Sequence, residues 1–358
     1  MPEGHSIRRL ATMLDSLFTG AVVRASSPQG RFAAGAEAID GWRVTGTGAH
    51  GKHLFVELEP PTGGEPRFVH VHLGLYGAWS FVTANGFAPH AIGAPRRPAE
   101  GGPASDGTGA VSPGAGRGTT PGGVVDTGGD DSLAVDVVPS DPMDTEDHGY
   151  AELVVPEPRP TVRLRLLTDG VVADLTGPAR CDLIDEGQKD AVHERLGPDP
   201  LRPDADPDRF VAAVRRTRRG IGELLMDQSV IAGVGNIYRA EALYRARIHP
   251  RTEGRAVSVA RLRAMWDDVA GLLADGVEHG VIVTTRPEDR RAPRPDSWAR
   301  AAERATDEEA DFRWYVYRRA GRACHVCGQA VSIDDMAGRT VFWCGKCQRL
   351  LRSRARAA

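Results

Sequence analysis

Apolar residues fall at helical spacing near the start of the chain. Ile7, Leu10, Leu14 and Leu17 in SIRRLATMLDSLF predict an amphipathic helix over residues 6–18. Segments of strand character follow: AVVRAS, WRVTGTG, HLFVELE and FVHVHL, then VRLRLLT and VVADL further on. Gly and Pro punctuate them at short intervals, which predicts an antiparallel β-sandwich. From Pro207 the pattern turns helical, in DRFVAAVRR, IGELLMDQSVI, NIYRAEALYRARI and SVARLRAMWDDVAGLLADGV.

Between the two groups of strands lies a Gly/Pro/Asp/Ser-rich stretch, residues 84–158, with few large apolar side chains. Such a stretch buries too little surface to offset its ordering entropy, so it is expected to be a disordered insertion whose flanks are strands of one sheet. A second polar stretch, residues 286–309, is expected to be a flexible connector. The expected divisions are a β-domain (1–83 plus 159–180), the insertion (84–158), an interdomain linker (181–206), a helical domain (207–311), a cysteine-bearing module (312–352) and a tail (353–358). With 358 residues there is room for all of them.

Composition narrows the class. No run of about 18 apolar residues offers a membrane span, and the polar start lacks a signal-peptide core. Five cysteines, four of them in a metal pattern, fit a reducing cytoplasm rather than a disulfide framework. The fifth, Cys181, reads as an ordinary core or surface thiol. The net charge of −3 conceals an asymmetry. Residues 84–158 hold 12 acidic and 3 basic side chains, whereas residues 312–358 hold 10 basic and 2 acidic. A basic C-terminal face suits a polyanion, with phosphate contacts giving sequence-independent affinity.

The cysteines fall as Cys324-x2-Cys327 and Cys344-x2-Cys347, separated by 16 residues. Each pair can reach one ion from a tight turn, and the gap holds a β-hairpin, so the spacing predicts a single Zn ion. Four thiolates leave no open coordination position, which makes the metal structural. At the other end, Met1-Pro2-Glu3 would present a secondary amine at Pro2 once Met1 is removed. Its pKa lies near that of an α-amino group, about 8, so part of it is unprotonated and can attack an electrophilic sugar carbon. Glu3, adjacent, can serve as general acid. From the first three residues alone, the plainer reading is that proline does no more than permit Met1 removal.

Only three of the 45 basic residues are lysine, so Lys52, inside the strand-like GKHLFV, invites a specific role. Asn236, in Gly233-Val234-Gly235-Asn236, stands where a glycine turn opens a helix; such an end favours a phosphate, or is an ordinary helix cap. His50, His53, His70 and His72 cluster in the strands, but a second metal is not expected there.

The segments MPEGHSIRRL, Gly51-Lys52-His53, LLMDQSVIAGVGNIYRAEAL and GRTVFWCGKCQ together resemble the formamidopyrimidine-DNA glycosylase / endonuclease VIII family. MPEG and Leu75-Tyr76-Gly77-Ala78-Trp79 resemble its endonuclease VIII branch, with the character of actinobacterial endonuclease VIII 1-type enzymes. The resemblance implies a helix–two-turn–helix domain and a zinc-finger hairpin. It also implies a bifunctional DNA glycosylase and AP lyase of base-excision repair, cytoplasmic and monomeric, acting on double-stranded DNA with oxidised bases or abasic sites.

Carried over residue by residue, Pro2 matches the Schiff-base nucleophile, Glu3 the general acid and Lys52 the proton donor in β-elimination. Arg339 matches a zinc-finger arginine assigned to phosphate contact and δ-elimination; alone it would read as a hairpin-tip charge. Asn236 matches a phosphate ligand, Arg195 a linker arginine touching DNA, and His72 part of a DNA-facing turn. Leu75 and Tyr76 match a void-filling wedge, though both could simply pack in a β-domain core. Two departures stand out: Gly74 replaces a wedge glutamine of endonuclease VIII, and His5-Ser6 replaces the Pro-Glu of many relatives. Oxidised pyrimidines are the expected substrates. A purine-directed glycosylase of the same family and a non-catalytic zinc-containing DNA-binding protein are the alternatives.

Overall fold

The computed structural model describes residues 2–84, 92–93, 153–289 and 313–351. The expected insertion falls almost wholly outside them, as do most of the connector before the cysteines and the C-terminal tail. Eleven strands and seven α-helices make up the described regular structure, besides two short 3-10 turns. The first helix, α1, spans Gly4–Phe18 and buries Ile7, Leu10, Ala11, Leu14 and Phe18. Each such side chain withdrawn from water contributes about 1.5–3 kcal/mol. Strand β1 (Arg24–Ser26) and helix α2 (Ala33–Ile39) follow. Then come β2 (Arg43–His50), β3 (His53–Glu59), β4 (Arg67–His72), β5 (Ala78–Thr83), β6 (Ile92–Gly93), β7 (Val162–Leu167), β8 (Val171–Thr176) and β9 (Arg180–Ile184).

These strands form two antiparallel sheets, ordered β1-β7-β8-β5-β6 and β2-β3-β4-β9. Leu54, Val56, Leu58, Val69 and Val71 from one sheet meet Trp79, Phe81, Leu164, Leu166 and Leu175 from the other, with α1 closing the core. Alternate residues of β3 and β4 point the opposite way. There Phe55 and Phe68 are covered by Ile184, Val192 and Leu196. Val192 belongs to α3 (Glu186–Arg195), which starts at a reciprocal cap between Asp185 and Gln188. Residues 181–206, expected to be only a linker, therefore carry most of an edge strand and a whole helix. Strand alternation hid the reason: β4 has two faces to cover, and the linker covers the outer one.

The helical part consists of α4 (Pro207–Arg215), α5 (Ile221–Leu224), α6 (Asn236–Arg245) and α7 (Val259–His279). The continuous helix expected over IGELLMDQSVI stops after Leu224. Beyond it, side chains capture the backbone: Asp227 Oδ1 accepts from the Ser229 amide and hydroxyl (3.1 and 2.6 Å), and Gln228 folds onto the following loop. Such local bonds outcompete the helix even where apolar spacing persists. A hairpin of β10 (Ser332–Met336) and β11 (Arg339–Trp343) completes the chain. No helix among the described residues is long and apolar enough to cross a membrane.

Candidate active site and nucleic-acid interface

Pro2, Glu3 and Gly4 are buried, and what buries them comes from more than 200 residues away. The Gly4 amide donates to Gly233 O at 2.8 Å. The Glu3 carboxylate lies across the start of α6, accepting from the amides of Gly235 (2.8 Å), Ile237 (2.9 Å) and Tyr238 (3.4 Å). Position 235 requires glycine: a Cβ there would sit 2.4 Å from Glu3 Cδ. The amides of α6's first turn, which the sequence offered to a phosphate, are thus occupied by Glu3. Of the amides at this end Glu3 takes those of Gly235, Ile237 and Tyr238, and Asn236 lies half-exposed beside them.

Lys52 approaches from the β2–β3 turn. Its Nζ donates to Val234 O at 2.7 Å, one residue before the amide that meets Glu3. The turn is itself anchored, since the Gly51 amide donates to Asp199 Oδ2 (2.8 Å) in the segment after α3. Burial lowers the Lys52 ammonium to about 8, an effect that Glu3 opposes and Arg339 reinforces. Burial raises the Glu3 carboxyl, against Lys52 and the three amides. In both groups burial works against the charged form, raising the carboxyl and lowering the amine.

Across the loop stands the finger hairpin. Asn236 Nδ2 donates to Thr340 O (3.1 Å), and Arg239 Nη2 donates to the same carbonyl (2.6 Å) and to Asn236 Oδ1. Because a guanidinium only donates, this contact fixes which way the amide of Asn236 points. Arg339, next to Thr340, is exposed, and its charge is felt by both Lys52 and Arg239. Glu3, Lys52, Asn236 and Arg339, spread over most of the sequence, therefore converge on one loop and one helix end.

The remaining expected residues lie on the β-domain. Leu75 and Tyr76 are 54 % and 81 % exposed, so neither packs in the core. Their loop turns at Gly74, with φ +67°, where a Cβ would meet Ala179 Cβ at 2.7 Å. A glutamine there would be strained, which is the physical cost behind that departure. His72 is half-buried beside Arg180, its β9 partner in register, and its imidazole is lowered by burial and by Lys52. Arg195 is exposed at the end of α3 and lines a cleft with His70 and Arg180. His53 Nδ1 and His70 Nε2 are 2.8 Å apart, both imidazoles held neutral by burial.

The four cysteine sulfurs lie within 4.8 Å of one another. Zinc bonds of about 2.3 Å in a tetrahedron require sulfur–sulfur edges of about 3.8 Å. Cys324 to Cys347 is 3.8 Å and Cys327 to Cys344 is 3.4 Å, so the set fits a zinc ion. The Tyr244 hydroxyl, 3.1 Å from Cys324 Sγ, is placed to donate to a thiolate.

Sequence reasoning missed Glu241. It is fully buried and accepts from the amides of Tyr315 (2.7 Å), Val316 (2.9 Å) and Tyr317 (2.8 Å), tying the cysteine module to α6. Its place on a helical face with Ile237 and Tyr244 marks it for burial, but nothing local names its partners.

A sandwich joined to a helical domain and a cysteine hairpin, with a carboxylate and a lysine meeting at their junction, defines a class of enzyme that handles DNA. Residues 1–100 match the formamidopyrimidine-DNA glycosylase N-terminal domain and residues 196–287 the H2TH domain of the same family. Endonuclease 8 1 of Mycobacterium tuberculosis is 37% identical over 351 residues, covering 97% of this chain and 100% of that one. Formamidopyrimidine-DNA glycosylase of Xanthomonas euvesicatoria is 36% identical over 188 residues, covering 51% of this chain and 64% of that one. Among solved structures, Lactococcus lactis Fpg in complex with abasic-site DNA superimposes with a TM-score of 0.61 at 18% identity, covering 97% of this chain and 99% of that chain. The chain belongs to the formamidopyrimidine-DNA glycosylase / endonuclease VIII family. It is a DNA glycosylase of base-excision repair with AP lyase activity.

Proposed function

We propose that this enzyme excises oxidised bases, pyrimidines first, through a Schiff base on Pro2 and then nicks the strand by β,δ-elimination. The observation that carries the reading is the meeting of Glu3 and Lys52 on the Gly233–Ile237 loop, next to Pro2. The unprotonated Pro2 nitrogen forms a bond to the sugar C1′ as the glycosidic bond breaks and the base leaves. Glu3 delivers a proton to the ring oxygen, so the sugar opens to an iminium ion. That iminium acidifies the adjacent C–H; its loss expels the 3′ phosphate with Lys52 as proton donor. Arg339 assists expulsion of the 5′ phosphate, leaving phosphate ends on both sides.

Duplex DNA lies between the β-domain and the helical domain in this reading. Asn236, Arg339, Arg195 and His72 contact it, and Leu75 and Tyr76 fill the gap left by the extruded nucleotide, offsetting a few kcal/mol of unstacking. One zinc ion on Cys324, Cys327, Cys344 and Cys347 is structural, and the enzyme works in the cytoplasm as a monomer. The pyrimidine preference is supported by the likeness to Endonuclease 8 1; the missing glutamine at position 74 bears on the opposite base instead, since it leaves fewer groups to probe it.

Borohydride trapping on damaged duplex tests the reading, with the mature N-terminus checked by mass spectrometry. The native enzyme is expected to form a covalent adduct and Pro2→Gly none. A native enzyme that retains Met1, or forms no adduct, would sink the Schiff-base step. Release from thymine glycol and dihydrouracil duplexes is expected to outpace release from 8-oxoguanine; the reverse order would make the enzyme purine-directed.

A further inference from the structure

The two proton-handling residues share a support that neither provides. Gly233 O receives the Gly4 amide, Val234 O receives Lys52 Nζ, and the Gly235 amide serves Glu3. These three residues form the cradle of the site, yet two of them are glycines with no side chain to hold them. Gly233 sits at φ +86°, a conformation with many alternatives for a glycine. Val234 is anchored in the helical core, but its side chain does not fix which way its carbonyl points.

Gln228 supplies that fixation. Its Oε1 accepts from the Gly233 amide at 3.0 Å, and its Nε2 donates to Val234 O at 3.0 Å. The Gly233–Val234 pair is thus gripped at its leading N–H and its trailing C=O by one side-chain amide. Gln228 is tied down in turn, since its own carbonyl accepts from the Gly197 amide at 2.8 Å. Only an amide of this length offers one acceptor and one donor in that spacing; a carboxylate could keep the first bond but not the second.

We propose that Gln228 is a positioning residue for catalysis, orienting Val234 O toward Lys52 and the Gly235 amide toward Glu3. The proposal rests on the roles of Pro2, Glu3 and Lys52 given above. Gln228 touches no reacting atom; it acts through the carbonyl that receives the lysine.

Two variants test this on abasic and thymine glycol duplexes, with kcat, KM and the pH profile of strand cleavage measured beside thermal melting. Gln228→Ala is expected to lower kcat for both steps by about tenfold or more while KM stays within about twofold. Gln228→Glu keeps the shape but brings a negative charge next to the carbonyl that Lys52 uses. Its basic pH limb is expected to move to higher pH, a shift that loss of folding stability alone would not produce. Should Gln228→Ala melt below the assay temperature, the pH limb of Gln228→Glu decides. Native kcat in Gln228→Ala, or an unmoved limb in Gln228→Glu, overturns the proposal. Absence of a borohydride adduct in the native enzyme would instead overturn the reading on which it rests.

Discussion

Glu3 and Lys52 bond to one loop from different parts of the chain, and each shifts the other's titration. Lys52, lowered to about 8, donates a proton only while charged, so strand cleavage is expected to fall as pH rises through that value. Arg339 is one cause of the lowering. In Arg339→Ala the basic limb, normalised to its own maximum, should therefore lie at higher pH on an abasic duplex. A limb at unchanged pH would show that the two charges do not communicate. Position 235 offers a sharper probe. The Cβ of Gly235→Ala would lie 2.4 Å from Glu3 Cδ, so either the carboxylate or the helix end must shift. Base excision is expected to fall about a hundredfold, near 2.7 kcal/mol of transition-state stabilisation. Rates within about threefold of native would mean the contact is soft.

At the scale of elements, α6 is a strut with a task at each end. Its first turn holds Glu3, Asn236 and Arg239 grip Thr340, Glu241 holds Tyr315–Tyr317, and Tyr244 reaches the cysteines. The finger is thereby seated on the same helix whose first turn holds the Glu3 carboxylate. Chelation of the metal is expected to reduce strand cleavage by tenfold or more, about 1.4 kcal/mol, and zinc alone should restore it. Full activity after verified metal loss would show that the hairpin keeps its seat through Glu241 and Thr340 without the ion. Much at this scale was legible beforehand. HLFVELE matches β3 residue for residue because one face is core and the other is covered. IGELLMDQSVI was misread because its apolar spacing says nothing of Asp227 and Gln228, whose side chains bond to nearby backbone. Helix α2, AAGAEAI, was missed because small residues give a faint period.

For the molecule as a whole, the spacing of the four cysteines already foretold their cluster, and motif resemblance singled out Glu3 and Lys52, which meet on one loop. Gln228 stayed hidden because apolar spacing does not show which nearby backbone groups its side chain grips, and Arg239 and Glu241 because their backbone partners, Thr340 and Tyr315–Tyr317, are remote in sequence. The long acidic segment joins strands of one sheet: β5 and β7 flank β8, pairing with it through Ser80–Asp174 and Arg165–Asp174. The buried Arg165–Asp174 pair, at 2.7 and 2.8 Å, also binds Pro156 O and so secures the returning chain. Removing residues 96–150 leaves these anchors and the loop at Gly233 untouched. Strand cleavage by that deletion variant is expected to stay within tenfold of native, about 1.4 kcal/mol. A larger loss would assign the segment a part in turnover.

The docking of Gly4 on Gly233 also sets an order of events during synthesis. Ribosomes add about 5–20 residues per second, so roughly 10–50 seconds separate the emergence of the leading residues from that of the loop that covers them. Throughout that interval the front of the nascent polypeptide is open to enzymes that trim it. Once the loop arrives, the same stretch is sealed.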